Sequence, residues 1–163
     1  MGTPNYGGAQ VFLAYLNLEH GIRMDYPANW VLNEQSLPFS FSVAFGSPQE
    51  DVSDQFRENL NITLQPLFPG ITQEIFVQTW QAFAKQTHLA VLEMGITTLA
   101  NQNVCRIVFN APLQAPVPMT GKAMMFLFVI GAIGYTVTYT GQIGHFETFL
   151  PTVEHMLSTL QVH

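Results

Sequence analysis

Five histidines are the side chains in this sequence best suited to bind a metal ion or to move a proton. They are His20, His88, His145, His155 and His163. His145 and His155 are ten residues apart, which at 3.6 residues per turn places them on roughly opposite sides of a helix. The sequence has no HEXXH or CXXC pattern. We therefore expect no metal site and no metal-dependent chemistry.

Nucleophilic side chains are equally isolated in the sequence. Cys105 is the single cysteine, which excludes an intramolecular disulfide and a multi-cysteine metal site. It lies in the alternating stretch NVCRIVFN, so we interpret it as a small buried residue rather than as a nucleophile with a neighbouring base. The sequence also lacks the G-x-S-x-G pattern that places a serine on a sharp turn in hydrolases. We therefore expect no catalytic residue and no cofactor, and we predict that the protein is not an enzyme.

The one cluster of charge is acidic and lies in the stretch GSPQEDVSDQFREN. Its members are Glu50, Asp51, Asp54 and Glu58. One interpretation is a solvated loop that keeps the protein soluble. The other is an electrostatic patch that speeds and orients the encounter with a basic partner protein. The sequence leaves both interpretations open.

Two aromatic residues, Tyr26 and Trp30, are the second candidate for partner binding. Tyr26 precedes the turn PANW and Trp30 is its last residue, so the two could line a groove beside the sheet. Alternatively, Trp30 is a core anchor whose indole N–H bonds to the backbone. Together with the four acidic residues, they complete the predicted partner-binding set.

The composition limits the kind of partner. The chain has 163 residues, a formal net charge of −6 and only five lysines and arginines, whereas nucleic-acid binding depends on such residues to displace counterions. Charged residues make up 10% of the chain, against roughly 25% in average soluble domains, and sparse charge is common in exported proteins. We expect a protein partner rather than nucleic acid, and an exported, periplasmic or cell-envelope location rather than the cytoplasm.

The ends and the apolar runs add expectations about domain organisation. The longest apolar run, residues 123–133, is shorter than the about 20 residues that span a bilayer, so we expect no transmembrane segment. The first ten residues lack the pattern of a signal peptide, which leaves open whether an export signal was removed. We expect residues 1–10 to form a loose arm and residues 11–163 to form a single domain.

Hydrophobic periodicity predicts strands, a helix, four strands and a final helix. Alternating or continuous apolar residues predict strands at 22–26, 40–45, 60–64, 91–100, 104–110, 123–130 and 135–141. Helical spacing predicts helices at 72–87, capped by Thr72, and at 145–161, with Pro151 near the start. The stretch 111–119 holds three prolines and is expected to be a loop. The resulting fold class is α+β, a central antiparallel β-sheet flanked by helices in an α/β/α sandwich.

In this order of elements, the chain resembles the PsbP/Mog-like superfamily, which includes the bacterial DcrB-like proteins. An early strand runs into GIRMDYPANW, NLNITLQPL follows an acidic loop, a strand pair ends in YTVTYTG, and the last helix closes on LSTLQ, where members commonly carry Ser-Phe. The resemblance extends from Glu19 to Leu160 and implies a PsbP/Mog-like fold that binds proteins. Docking through lysines does not carry over, because this chain is poor in lysine.

Two functions from different classes fit these observations. The first is a non-catalytic protein-binding, assembly or chaperone module, and the resemblance to DcrB-like proteins implies that it could shield hydrophobic segments. The alternative is a carrier of a small hydrophobic ligand or lipid, in which the 13 phenylalanines and seven methionines would line an internal apolar cavity.

Overall fold

A computed structural model describes residues 10–163 as two helices and ten strands. The strands are β1 (Phe12–Asn17), β2 (Ile22–Pro27), β3 (Val31–Leu37), β4 (Ser40–Gly46), β5 (Asn59–Pro66), β6 (Val91–Leu99), β7 (Gln102–Leu113), β8 (Met119–Ile130), β9 (Ile133–Gln142) and β10 (Gln161–Val162). The helices are α1 (Gln73–Gln86) and α2 (Phe146–Ser158). Apart from Gln10, the predicted N-terminal arm lies outside the described residues.

Seven of the strands form one antiparallel sheet in the order β3-β4-β5-β9-β8-β7-β6. The predicted hairpin between β8 and β9 turns at Gly131, whose φ of +59° suits glycine. β5 pairs with β9 rather than β6, because α1 carries the chain across the sheet before β6 begins. A second antiparallel sheet has the order β1-β2-β10.

Apolar side chains are buried on both faces of the large sheet. On one face, α2 and the small sheet cover a cluster that includes Ile62, Tyr139 and Met156. On the other face, α1 covers a smaller cluster on β7 and β8 that includes Ile107, against which Trp80 packs. The predicted α+β fold, a central antiparallel sheet with helices on its two faces, is confirmed, and the small sheet joins the layer of α2.

Helix α1 begins as predicted and is tied to the sheet by one side chain. The Thr72 hydroxyl oxygen accepts the Ile75 N–H at 3.2 Å and caps the helix. The Gln73 amide donates to the Asn103 carbonyl at 2.8 Å, and its oxygen accepts the Val129 N–H at 3.1 Å. One amide therefore positions the start of α1 over β7 and β8.

The predicted proline loop is shorter in the structure. β7 continues to Leu113 and β8 begins at Met119, so the prediction of a loop over 111–119 was wrong at both ends. Pro112 fits into β7 because β6 begins only at Val91, opposite Phe109. Beyond that point β7 has a free edge, where a residue without an N–H is tolerated.

One strand and one helix end also differ from the sequence predictions. β3 was not predicted, because its side chains are mainly exposed and polar and therefore show no apolar alternation. α2 ends at Ser158, and Gln161 instead begins β10. Neither helix in the described part of the chain is long and apolar enough to cross a membrane.

Candidate functional site

The acidic stretch forms the loop between β4 and β5, at the end of the large sheet that faces the start of α2. The Ser47 N–H donates to the Glu58 carbonyl at 2.8 Å and closes the loop where the strands end. Within the loop, the Asp54 carboxylate accepts the N–H groups of Glu50 at 3.0 Å and Phe56 at 3.2 Å. These bonds give the loop a defined path without a helix or strand.

The outer side of this loop is open to solvent. Asp51 accepts the Ser53 N–H at 2.7 Å and the Ser53 hydroxyl at 2.5 Å, and these bonds lower the pKa of Asp51. The neighbouring Val52 is fully exposed. The loop therefore presents an ionised carboxylate next to an apolar side chain.

Glu58 differs from the other acidic residues because it is buried, with 0% of its surface exposed. Its Oε1 accepts the Gln142 N–H at 3.2 Å, whereas its Oε2 is buried without a hydrogen-bond partner. Burial raises the pKa of Glu58, since a desolvated carboxylate favours its neutral form. Glu58 therefore cannot belong to a solvated acidic surface, and the interpretation of all four acidic residues as one such surface needs this correction.

Glu50 points toward the start of α2, where its carboxylate bonds to Nδ1 of His145. This hydrogen bond raises the pKa of His145, because a nearby carboxylate stabilises the protonated ring. Each of Glu50, Glu58 and His145 offers one side-chain oxygen or nitrogen that could bind a metal ion, and these three atoms all lie within 4.8 Å of one another. The β4–β5 loop, which supplies Glu50 and Glu58, and the residue before α2 therefore bring three ionisable groups together.

A groove runs between this loop and α2, and two predicted residues line it. Trp30, 5% exposed, and Phe149 meet edge to face with their rings 5.9 Å apart, and Glu50 lies on the wall of the same groove. Thr148 and Thr152 of α2 add polar groups. Trp30 is thus buried as a core anchor and also borders a surface groove.

The remaining predicted residue, Tyr26, lies elsewhere. Its half-buried ring packs against Phe45 at 5.1 Å and does not line the groove. His145, which the sequence analysis did not select, belongs to the cluster. It is 95 positions from Glu50, so no local spacing could have linked the two residues.

A second groove lies beside α1 on the other face of the sheet. Its lining is mainly apolar and includes Leu67, Phe68, Trp80 and Phe83. Phe68 and Phe83 are largely exposed to solvent. Cys105, by contrast, is buried between α1 and the sheet, and burial raises the pKa of its thiol, which disfavours the reactive thiolate.

Comparisons with known proteins identify solved structures that share this architecture. No protein-family model matches the sequence, and no curated protein matches it. LpqN, a protein involved in cell envelope biogenesis of Mycobacterium tuberculosis, matches with a TM-score of 0.63 and 12% identity over 98% of this chain and 99% of its own. Cyanobacterial PsbP (CyanoP) from Synechocystis sp. PCC 6803 matches with a TM-score of 0.57 and 11% identity over 100% of this chain and 99% of its own.

A crystal structure from Bacteroides thetaiotaomicron VPI-5482 matches with a TM-score of 0.59 and 12% identity. The alignment covers 92% of this chain, which spans about half, 48%, of that longer protein. At these identities, the likeness to all three structures shows the fold and nothing further.

Proposed function

We propose that this chain, which has the PsbP-like fold, is a non-catalytic module that binds a partner protein at the groove between the β4–β5 loop and α2. The observation that carries the proposal is that Trp30, Phe149 and Glu50 line the same groove. A groove lined by two aromatic rings and a carboxylate suits a partner segment that carries both an apolar and a basic side chain.

The charge around the groove supports a basic partner. Asp51 and Asp54 belong to the same loop as Glu50, and the whole chain has a net charge of −6. An excess of negative charge attracts a basic surface before contact and raises the association rate. Val52 next to these carboxylates gives the partner an apolar contact at the rim.

We further propose that the protein acts outside the cytoplasm, in the periplasm or cell envelope. The low proportion of charged residues, 10%, agrees with this location. LpqN, which shares the fold, is involved in cell envelope biogenesis, and this supports the proposed location.

The test is an affinity capture from the native host with matched charge variants. The variant Asp51→Asn removes one charge but keeps the oxygen that accepts both Ser53 bonds, and Thr148→Arg places a bulky cation in the groove. The control Glu19→Gln removes one exposed charge elsewhere. We expect a partner that the wild type and control retain, that salt weakens, and that both groove variants lose. Identical captured sets from all four proteins would rule out this binding site.

The apolar groove beside α1 favours a second candidate, the shielding of a hydrophobic segment or small ligand. Phe68 and Phe83 lie exposed along it, and exposed apolar patches often mark binding surfaces. We expect an apolar dye or a co-purifying lipid to bind the wild type, and Phe83→Gln to weaken this binding. Ala82→Gln, on a neighbouring exposed position of α1, is the control. Equal dye binding by both variants would exclude the groove.

A further inference from the structure

We propose that Glu50, Glu58 and His145 bind a divalent transition-metal ion of the Zn²⁺ type. Each residue offers one ligand atom, and the three atoms lie within 4.8 Å of one another. Zinc binds histidine nitrogen and carboxylate oxygen at about 2.0–2.2 Å, so ligand atoms around a tetrahedral ion are roughly 3.4 Å apart. Small rotations of the two partly exposed side chains, Glu50 and His145, would reach that geometry.

The buried carboxylate gives the independent reason to place a cation here. Glu58 is 0% exposed, and its Oε2 has no hydrogen-bond partner. A carboxylate buried without a partner either takes up a proton or needs a cation or donor to compensate its charge. An ion held between Glu58, Glu50 and His145 would supply that compensation.

A second buried atom without a partner lies at the same pair of strand ends. It is the Ser47 hydroxyl oxygen, and Ser47 is bonded through its N–H to the Glu58 carbonyl. In the part of the chain that the structure describes, these are the two buried side-chain oxygen or nitrogen atoms that have no hydrogen-bond partner. Because both residues lie at one place in the fold, an ion and its bound water would supply polar partners where the protein supplies none.

The ligand set selects the class of ion. Mg²⁺ and Ca²⁺ prefer shells made only of oxygen, whereas an imidazole favours Zn²⁺ and related transition metals. The two carboxylates balance the charge of the ion, and three protein ligands leave a fourth position for water. Bound in this way, the ion would replace the proton shared by Glu50 and His145 and would link both ends of the β4–β5 loop to the start of α2.

The first experiment titrates ZnCl₂ into protein that has been treated with a chelator and then dialysed, with calorimetry and thermal unfolding as readouts. We expect one ion per chain and a rise in Tm of roughly 5–10 °C when free Zn²⁺ is about 100 times Kd. Co²⁺ should show absorption bands of a four-coordinate site, and Mg²⁺ and Ca²⁺ should leave Tm unchanged. Absence of a zinc-induced shift in the wild type would overturn the proposal.

Variants separate this site from adventitious binding to surface histidines. Glu50→Gln and His145→Asn change partly exposed side chains, so both should fold, and each should weaken Zn²⁺ binding at least about tenfold, which is the effect of losing even an outer partner of a ligand. His88→Asn, at an exposed position with a left-handed backbone that suits asparagine, is the control and should bind as the wild type does. Equal binding by His145→Asn and the wild type would contradict the site.

Glu58→Gln tests the buried ligand in a way that a purely structural role would not reproduce. Without metal, this variant removes a buried charge and should unfold at the same or a higher temperature than the wild type. With Zn²⁺, it should lose the metal-induced rise in Tm. A full metal-induced rise in this variant would show that Glu58 is not a ligand. None of these readouts requires the proposed partner protein, so the metal site and the partner groove are tested separately.

Discussion

Gly141, near the end of β9, leaves the space in which Glu58 and the start of α2 meet. A Cβ at this position would lie 3.0 Å from Phe146 Cα and 3.1 Å from Glu58 Cγ. We expect Gly141→Ala to lower the free energy of unfolding by about 1–3 kcal/mol, because the backbone of α2 cannot move away cheaply. Urea denaturation in the presence of a chelator measures the change.

The control for this prediction is Gly95→Ala on the edge strand β6. A Cβ there would meet no atom within 4 Å, and replacing glycine by alanine without strain changes stability by about 0.4–1 kcal/mol in the favourable direction. Equal urea midpoints for the two variants would show that the contact of Gly141 with Phe146 and Glu58 is not tight.

Single residues differ in how far the sequence predicts their roles. The burial of Cys105 and Trp30 is confirmed, because the residue type and its neighbours in the chain already favour it. The inward position of Glu58 could not be predicted, since it sits in an acidic stretch that reads as solvated. Its burial depends on Gly141 and Gln142, which lie more than 80 positions away in the chain.

Gln73 acts on a whole element, because its side chain joins the start of helix α1 to the sheet. We expect Gln73→Ala to cost about 1–3 kcal/mol, since it removes two hydrogen bonds and leaves the partly buried Val129 N–H without an acceptor. Hydrogen exchange should become faster throughout α1 while exchange in β5 and β9 stays slow.

Gln78→Ala is the matched control for Gln73→Ala, because its amide reaches only Glu74 on the exposed side of the same helix. Both variants replace a glutamine of the same helix by alanine. If the two show the same exchange pattern, the attachment of α1 depends on its apolar contacts and not on Gln73.

Elements with a buried face could be predicted from the sequence, whereas an exposed strand could not. α1 was predicted closely because Thr72 caps it and its apolar residues recur at helical spacing. The strands with one buried face, such as β4 and β5, show a strict alternation that the sequence displays directly. β3 escaped prediction because an edge strand exposed to solvent has no such pattern, and it is fixed by its pairing with β4.

The open sheet leaves β6 as an edge strand with exposed apolar side chains, which affects the behaviour of the whole molecule. Ile96 is 74% exposed, and Leu92 and Met94 are also exposed. Unprotected apolar edges promote self-association. We expect Ile96→Lys to reduce aggregation at high protein concentration while changing the free energy of unfolding by less than about 0.5 kcal/mol, as measured by light scattering and urea denaturation.

Thr98→Lys adds the same charge on the same strand two residues away and is the control for this prediction. It leaves the apolar side chain of Ile96 in place. If both variants reduce scattering equally, net charge alone accounts for the effect, and the apolar edge has no specific part in it.

At the scale of the whole molecule, the layered α+β architecture could be predicted, but the candidate sites could not. Alternation and the order of elements are sufficient to predict an antiparallel sheet with helices on both faces. The groove beside Trp30 and the cluster around Glu58 are assembled from the turn before β3, the β4–β5 loop, the end of β9 and the start of α2. Contacts over such separations leave no pattern in any one stretch of the sequence.

The layer that covers the larger core comes from both ends of the described chain. β2 pairs with β1 on one side and with β10 on the other, and the Asp25 N–H is bonded to the Thr159 hydroxyl at 2.9 Å. During synthesis, β2 leaves the ribosome long before its last neighbour is translated. The apolar face of the sheet stays incompletely covered until β10 has been translated, so we expect this layer to form only then and folding to depend on protection of that face in the meantime.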